Sequence, residues 1–208
     1  ETAVKLYEFA TLSTVIFGAG KAAAGLQAWL EAPEARGRLL GCWFSDLGNL
    51  NRVFVLRGFD GQEDLLAERL RTRLADNPFG CLEYLTGLEL DSYLPLDFLP
   101  PVEPGAFGPV YEIRTYRPKL NGLAPTIEAW RAAVPARTAA SPLTIAMHSL
   151  DGPCRFTQIW PYRSLEERSR VRAQTVADGI WPPKGGPDWL TADMASTVAL
   201  PMAFSPLT

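Results

Sequence analysis

The feature that most constrains this chain is that it nearly repeats itself. Leu6-Tyr7-Glu8-Phe9-Ala10-Thr11 recurs 104 residues later as Val110-Tyr111-Glu112-Ile113-Arg114-Thr115. Ala28-Trp29 recurs as Ala129-Trp130, Asp60 with Glu63 as Ser164 with Glu167, and Leu94-Pro95 as Leu200-Pro201. Each match is short, but all four fall in the same order at nearly constant spacing, which is the signature of a tandem duplication. A chain of 208 residues then divides into a first copy, 1–103, and a second, 104–208. The junction falls in Pro100-Pro101-Val102-Glu103-Pro104-Gly105, a composition typical of connecting segments.

Both copies show the same alternation of periods. Tyr7 to Thr11 and Val110 to Tyr116 alternate as strands do. A helical stretch follows, with Ala22, Leu26, Trp29 and Leu30 on its apolar face in copy one. In copy two the face is Leu123, Ile127, Trp130 and Val134, and Asn121 is the expected N-cap. Two strands joined by a short polar turn come next, Leu39 to Ser45 with Arg52 to Phe59, then Leu143 to His148 with Arg155 to Tyr162. Asp60 with Glu63, and Ser164 with Glu167, fit capping boxes that open a second helix. Strands around Leu88 to Leu94 and Ser196 to Met202 close the copies. The order βαββαβ, met twice, predicts an α+β chain of two tandem ferredoxin-like units. Each four-stranded antiparallel sheet needs a cover opposite its helices, and the other copy's sheet is the available one.

Val110 to Tyr116, Asn121-Gly122, Trp130, Trp160-Pro161-Tyr162-Arg163-Ser164-Leu165 with Arg168 and Arg172, and the closing Leu200 to Pro206 resemble the NIPSNAP family. Copy two follows the pattern over nearly its whole length. Copy one has drifted: Ala10 stands where the motif has arginine, and Arg57-Gly58-Phe59 where it has Trp-Pro-Tyr. The resemblance implies the dimeric α/β-barrel superfamily, in which two ferredoxin-like sheets face each other; here both would come from one chain. Some superfamily relatives are cofactor-independent oxygenases, haem-handling enzymes or small isomerases, but a shared fold does not transfer an activity.

Composition removes several classes. Net charge is −3 and charged residues make up 21%, so a nucleic-acid-coating surface is not expected. No apolar run reaches the length of a membrane span. There is one histidine and there are three cysteines without CxxC spacing, which offers neither a zinc site nor a disulfide framework. No signal-peptide pattern is visible, so the cytoplasm is the expected compartment. The chain starts at Glu1 and not Met, consistent with removal of an earlier segment. Gly18-Ala19-Gly20-Lys21-Ala22-Ala23 matches a dinucleotide-binding fingerprint, but the residues about 20 positions on, around Leu39 to Cys42, include no acid to hold a ribose.

The candidate site rests on alternation. Glu112, Arg114 and Tyr116 share one strand face, and Gln158 and Trp160 share one on another strand. With His148, the one side chain whose ordinary pKa lies near neutrality, they form a ligand-binding set expected on the inter-sheet side of copy two. His148 is also the one candidate general base, with Glu112 or Tyr116 as partner. Three function classes follow: a protein holding an apolar small molecule between its sheets, a cofactor-independent oxygenase or isomerase using His148 with Glu112 and Arg114, or a structural interaction module. No cofactor and no metal is expected, haem being the lesser alternative. An unpaired strand edge would allow a homodimer.

Overall fold

A computed structural model describes residues 5–208. Residues 1–4, the start of the range expected for copy one, lie outside the described residues. Copy one runs β1 (Leu6–Thr14), α1 (Gly18–Leu30), β2 (Arg38–Leu47), β3 (Arg52–Phe59), α2 (Gln62–Leu74) and β4 (Leu85–Pro95). Copy two runs β5 (Val110–Pro118), α3 (Leu123–Ala140), β6 (Ile145–Ser149), β7 (Phe156–Tyr162), α4 (Leu165–Ala177), a one-turn α5 (Gly186–Trp189) and β8 (Leu190–Pro201). All pairings between strands are antiparallel, and the strands close into one barrel in the order β1-β3-β2-β8-β5-β7-β6-β4. The two ferredoxin-like sheets join at two short seams. Trp43 to Leu47 pair with Val198 to Pro201 at one, and Tyr93 to Pro95 pair with Met147 to Ser149 at the other.

Alternation along the strands sorts the side chains into layers. Tyr7, Phe9, Trp43, Phe54, Tyr93, Tyr111, Ile113 and Ile159 point into the barrel and form its core. The opposite faces carry the helices: Leu12, Cys42, Val53 and Val55 pack under Ala22, Leu26 and Leu30 in copy one, and Ala146, Phe156, Trp160 and Tyr162 under Trp130, Val134 and Val171 in copy two. The junction between the copies is more than a tether. Val102 is buried in the barrel core and its N–H donates to Tyr7 Oη over 3.2 Å, while Leu207 fills the same end from the C-terminus. A parallel bridge between Gly105 and Leu207 ties the two plugs together.

Several local expectations are corrected. The buried positions of the first helices are Ala22, Leu26 and Leu30 against Thr126, Trp130 and Val134, so Trp130 corresponds to Leu26 and not to Trp29. Ser164 does cap α4, accepting from the Glu167 N–H, but the N-cap of α2 is Gly61 with no side-chain cap, and α3 is preceded by Gly122 and not capped by Asn121. β1 is antiparallel to both its neighbours, whereas a dinucleotide fingerprint needs a parallel βαβ unit. Among the described residues no helix is long and apolar enough to cross a membrane.

Candidate functional site

The six residues singled out in copy two do share a sheet face. Glu112 lies opposite Trp160, Arg114 opposite Gln158, and Tyr116 opposite Phe156, which in turn faces His148 on β6. The face is the other one from that expected. It packs under α3 and α4, while Tyr111 and Ile113 fill the space between the sheets. The reason is bulk: the odd positions of β5 match Tyr7 and Phe9 of β1 in making an apolar barrel core, and a period of two leaves the charged positions the helix side.

There the charges are partnered. Glu112 is fully buried, and its Oε2 accepts from Arg114 Nη1 at 3.1 Å, Arg168 Nη2 at 2.5 Å and Ser196 Oγ at 2.7 Å. Burial alone would raise the pKa of this carboxyl; the hydrogen bonds from Arg168 and Ser196 and the two arginine charges outweigh it and hold the group below the usual carboxylate range. Arg114 Nε donates to Tyr116 Oη over 2.9 Å, leaving the phenolic O–H free to donate elsewhere. Trp160 Nε1 donates to Gln158 Oε1 over 2.7 Å. Two buried polar atoms of this set, Glu112 Oε1 and Gln158 Nε2, have no hydrogen-bond partner among the described residues. Glu112 and Tyr116, the partners considered for His148, are thus engaged by Arg114, Arg168 and Ser196. Burial lowers the His148 pKa, against a smaller opposing effect of its hydrogen bond with the Ser149 backbone, and so favours the neutral ring.

A pocket of about 380 Å³ opens beside this network. It lies between α3 and the β5–β8 pair, beneath the segment joining α4 to β8. Its walls are Trp130, Trp181, Trp189, Tyr116, Met194 and Ala129. Of the predicted site residues Tyr116 alone lines it. Trp160 stands behind, edge-on to Trp181 with ring centroids 5.7 Å apart, and Arg137 stacks on Trp160 at 4.3 Å. Sequence reasoning named Trp130 as a helix-face residue and passed over Trp181 and Trp189. Their signal was the Trp181-Pro182-Pro183-Lys184-Gly185-Gly186-Pro187-Asp188-Trp189 stretch, where two tryptophans flank a run of prolines and glycines.

Copy one has no room at the matching place. There the connection from α2 to β4 lies backbone against backbone on α1: a Cβ on Gly25 would stand 2.0 Å from the Gly80 carbonyl oxygen. Phe79, fully buried, fills the rest with Trp29 against it at 6.0 Å. The residue matching Gly25 in copy two is Ala129, whose side chain faces the open pocket.

Between the sheets the apolar core leaves a cavity of about 480 Å³ toward the end away from Val102. It is polar, lined by Thr11, Thr115, Thr197, Glu89, Asp91 and Arg155 among others. Arg155 pairs with Asp91 at 2.7 Å, and burial raises the Asp91 pKa despite that cation. Cys42 and Cys81 are buried, and burial pushes their thiols up, Cys81 to about 11, which makes both poor nucleophiles. Among the described residues no three His, Cys, Asp or Glu side chains come together to hold a metal ion.

The NIPSNAP family profile matches the chain twice, over residues 7–82 and 111–206. A NipSnap homolog protein of Dictyostelium discoideum is 24% identical over 144 residues, 68% of this chain; the match spans 65% of that relative's length. Among solved structures, a monooxygenase-like protein of Lactobacillus acidophilus NCFM aligns with TM-score 0.65 at 11% identity, over 95% of this chain and 94% of its own. An anthrone oxidase-like protein aligns with TM-score 0.66 at 12% identity, over 97% and 93%. At such identities the likeness speaks for the fold alone, the dimeric α/β-barrel type. The chain is a member of the NIPSNAP family that carries the family's domain in two copies.

Proposed function

We propose that copy two binds an apolar, aromatic small molecule in the tryptophan-walled pocket between α3 and the β5–β8 strands. The observation that carries this reading is the pocket itself: aromatic walls with few polar groups are what hold such ligands, and the equivalent place in copy one is filled by Phe79. Tyr116 supplies the orienting group. Its oxygen is committed to Arg114, so its proton is directed at a hydroxyl or carbonyl oxygen on the ligand. Glu112 keeps Arg114 in place, and Gln158 keeps Trp160 in place behind the wall. The space between the sheets is less suited to an apolar molecule, because Glu89, Asp91 and Arg155 line it. His148 lies across β7 from Tyr116 and outside the pocket, so binding, and not acid–base chemistry by His148, is the function this geometry supports.

Thermal-shift titration with naphthalene, indole and 2-naphthol tests it. A ligand at ten times its Kd adds about 1.4 kcal/mol, roughly 3–6 °C for a chain of this size. At least one probe is expected to give such a shift in the wild type, with loss of the shift in Ala129→Trp, which fills the pocket. No shift with any probe, or an equal shift in Ala129→Trp, overturns the reading.

A further inference from the structure

The outer face of α2 carries an unexplained apolar stripe. Leu66, Leu70 and Leu74 are 60%, 48% and 79% exposed, spaced at i, i+4 and i+8 on one side of the helix. The inner side is already used by Leu65, Glu68 and Thr72. The duplication supplies a control. Thr72 and Thr175 each donate a side-chain hydrogen bond to the carbonyl four residues back, Glu68 and Val171, which aligns the two helices. In that alignment the stripe positions of α4 are Ser169, Ala173 and Ala177. Copy one alone has acquired leucines where the helix meets solvent, and three exposed leucines in line mark a contact surface more than a solvated one.

The charges beside the stripe say what covers it. Glu63, Leu66, Leu70 and Arg73 follow one another at spacings of three, four and three residues, all exposed and all on the same face. Among the described residues neither Glu63 nor Arg73 is in a salt bridge, although Arg73 also borders the polar cavity at the barrel's end with Glu89 and Asp91. The order acid-Leu-Leu-base is self-complementary. A second α2 laid antiparallel across a two-fold axis level with Glu68 brings each Glu63 opposite the other chain's Arg73, and each Leu66 opposite the other chain's Leu70. Isologous contacts of this kind close on themselves, and the arrangement satisfies both charges while burying the leucines. We propose that α2 is a homodimer interface, the occupant of the stripe being the α2 of a second copy of this chain. It is independent of the pocket in copy two.

A single helix pair lies at the small end of specific interfaces, so association should depend on concentration. Sedimentation velocity from about 1 to 200 µM is the test. The wild type is expected to pass from monomer to dimer over this range, and Leu70→Glu to stay monomeric with an unchanged circular dichroism spectrum. Glu63→Arg and Arg73→Glu should each weaken the dimer at least tenfold, and the double variant should restore it. A wild type monomeric throughout overturns the proposal. So does a dimer indifferent to Leu70→Glu, which would place the contact away from α2, or a double variant no better than the singles.

Discussion

Arg57 and Trp160 occupy the same place in the two copies: each lies directly opposite the first-strand glutamate, Glu8 for Arg57 and Glu112 for Trp160. The exchange has rebuilt the layer around it. Arg57 bridges Glu8 and Glu68, both at 2.5 Å, and Glu68 is held in turn by Arg71 at 2.6 Å. In copy two the position matching Glu68 is Val171, packed in the aromatic cluster with Trp160 and Trp130. At this position copy one thus buries an arginine–glutamate cluster where copy two packs tryptophans, and the tryptophan-walled pocket lies beside the second.

Arg57→Met should therefore be among the most damaging single changes in copy one. It leaves Glu8 facing Arg69 alone and strips Glu68 of one cation, and breaking a buried pair typically costs about 3–5 kcal/mol. Urea unfolding at pH 7 reads the loss; a cost below about 1 kcal/mol would mean that the network is dispensable.

Acid should weaken the fold through the glutamates. Burial would raise the Glu68 and Glu112 pKa values, but their arginine and hydrogen-bond partners hold both below the ordinary range. A carboxyl with a folded pKa below its unfolded value of about 4.3 contributes fully above about pH 5, and that contribution is lost as pH falls toward the folded pKa. Glu112→Gln should be less stable than the wild type at pH 7, with the difference narrowing as pH falls from 5 to 3. A difference constant with pH in urea unfolding would contradict this.

Trp29 and Trp130 separate two alignments of the copies. Trp130 is 4% exposed and touches Phe156, Trp160 and Trp181, so Trp130→Ala should cost about 3–5 kcal/mol. Trp29 is only partly buried at the helix edge, with Arg71 stacked on it at 3.8 Å. Trp29→Ala should cost at least 1 kcal/mol less. Equal losses in chemical denaturation would argue that the two tryptophans are equivalent.

The architecture was legible because duplication doubled every signal. Tyr7-Glu8 and Tyr111-Glu112 marked the same strand twice, and Ser164 with Glu167 marked a helix start. That Glu112, Arg114 and Tyr116 share one strand face, and Gln158 and Trp160 one face of another, also followed from alternation, whereas the register that sets Arg114 opposite Gln158 did not. What alternation cannot supply is the direction of a strand's two faces: Glu112 on a strand reads equally well toward the other sheet or toward the helices, and only the apolar bulk of Tyr111 and Ile113 against Tyr7 and Phe9 decides it. The pocket was harder still. Trp181 and Trp189 lie in a stretch of prolines and glycines without period, so nothing local ties them to Tyr116, 65 or more residues away. The false equivalence of Trp29 with Trp130 came from an Ala-Trp pair repeated by coincidence one turn out of register.

The central claim is that the copies have diverged so that one alone binds a ligand, and calorimetric titration with 2-naphthol, or whichever aromatic probe gives the larger thermal shift, tests it most directly. The account predicts one site per chain, a negative heat-capacity change from apolar burial, affinity weakened several-fold by Tyr116→Phe, and no measurable heat in Ala129→Trp. Two sites per chain, or one site that Ala129→Trp leaves untouched, would contradict it.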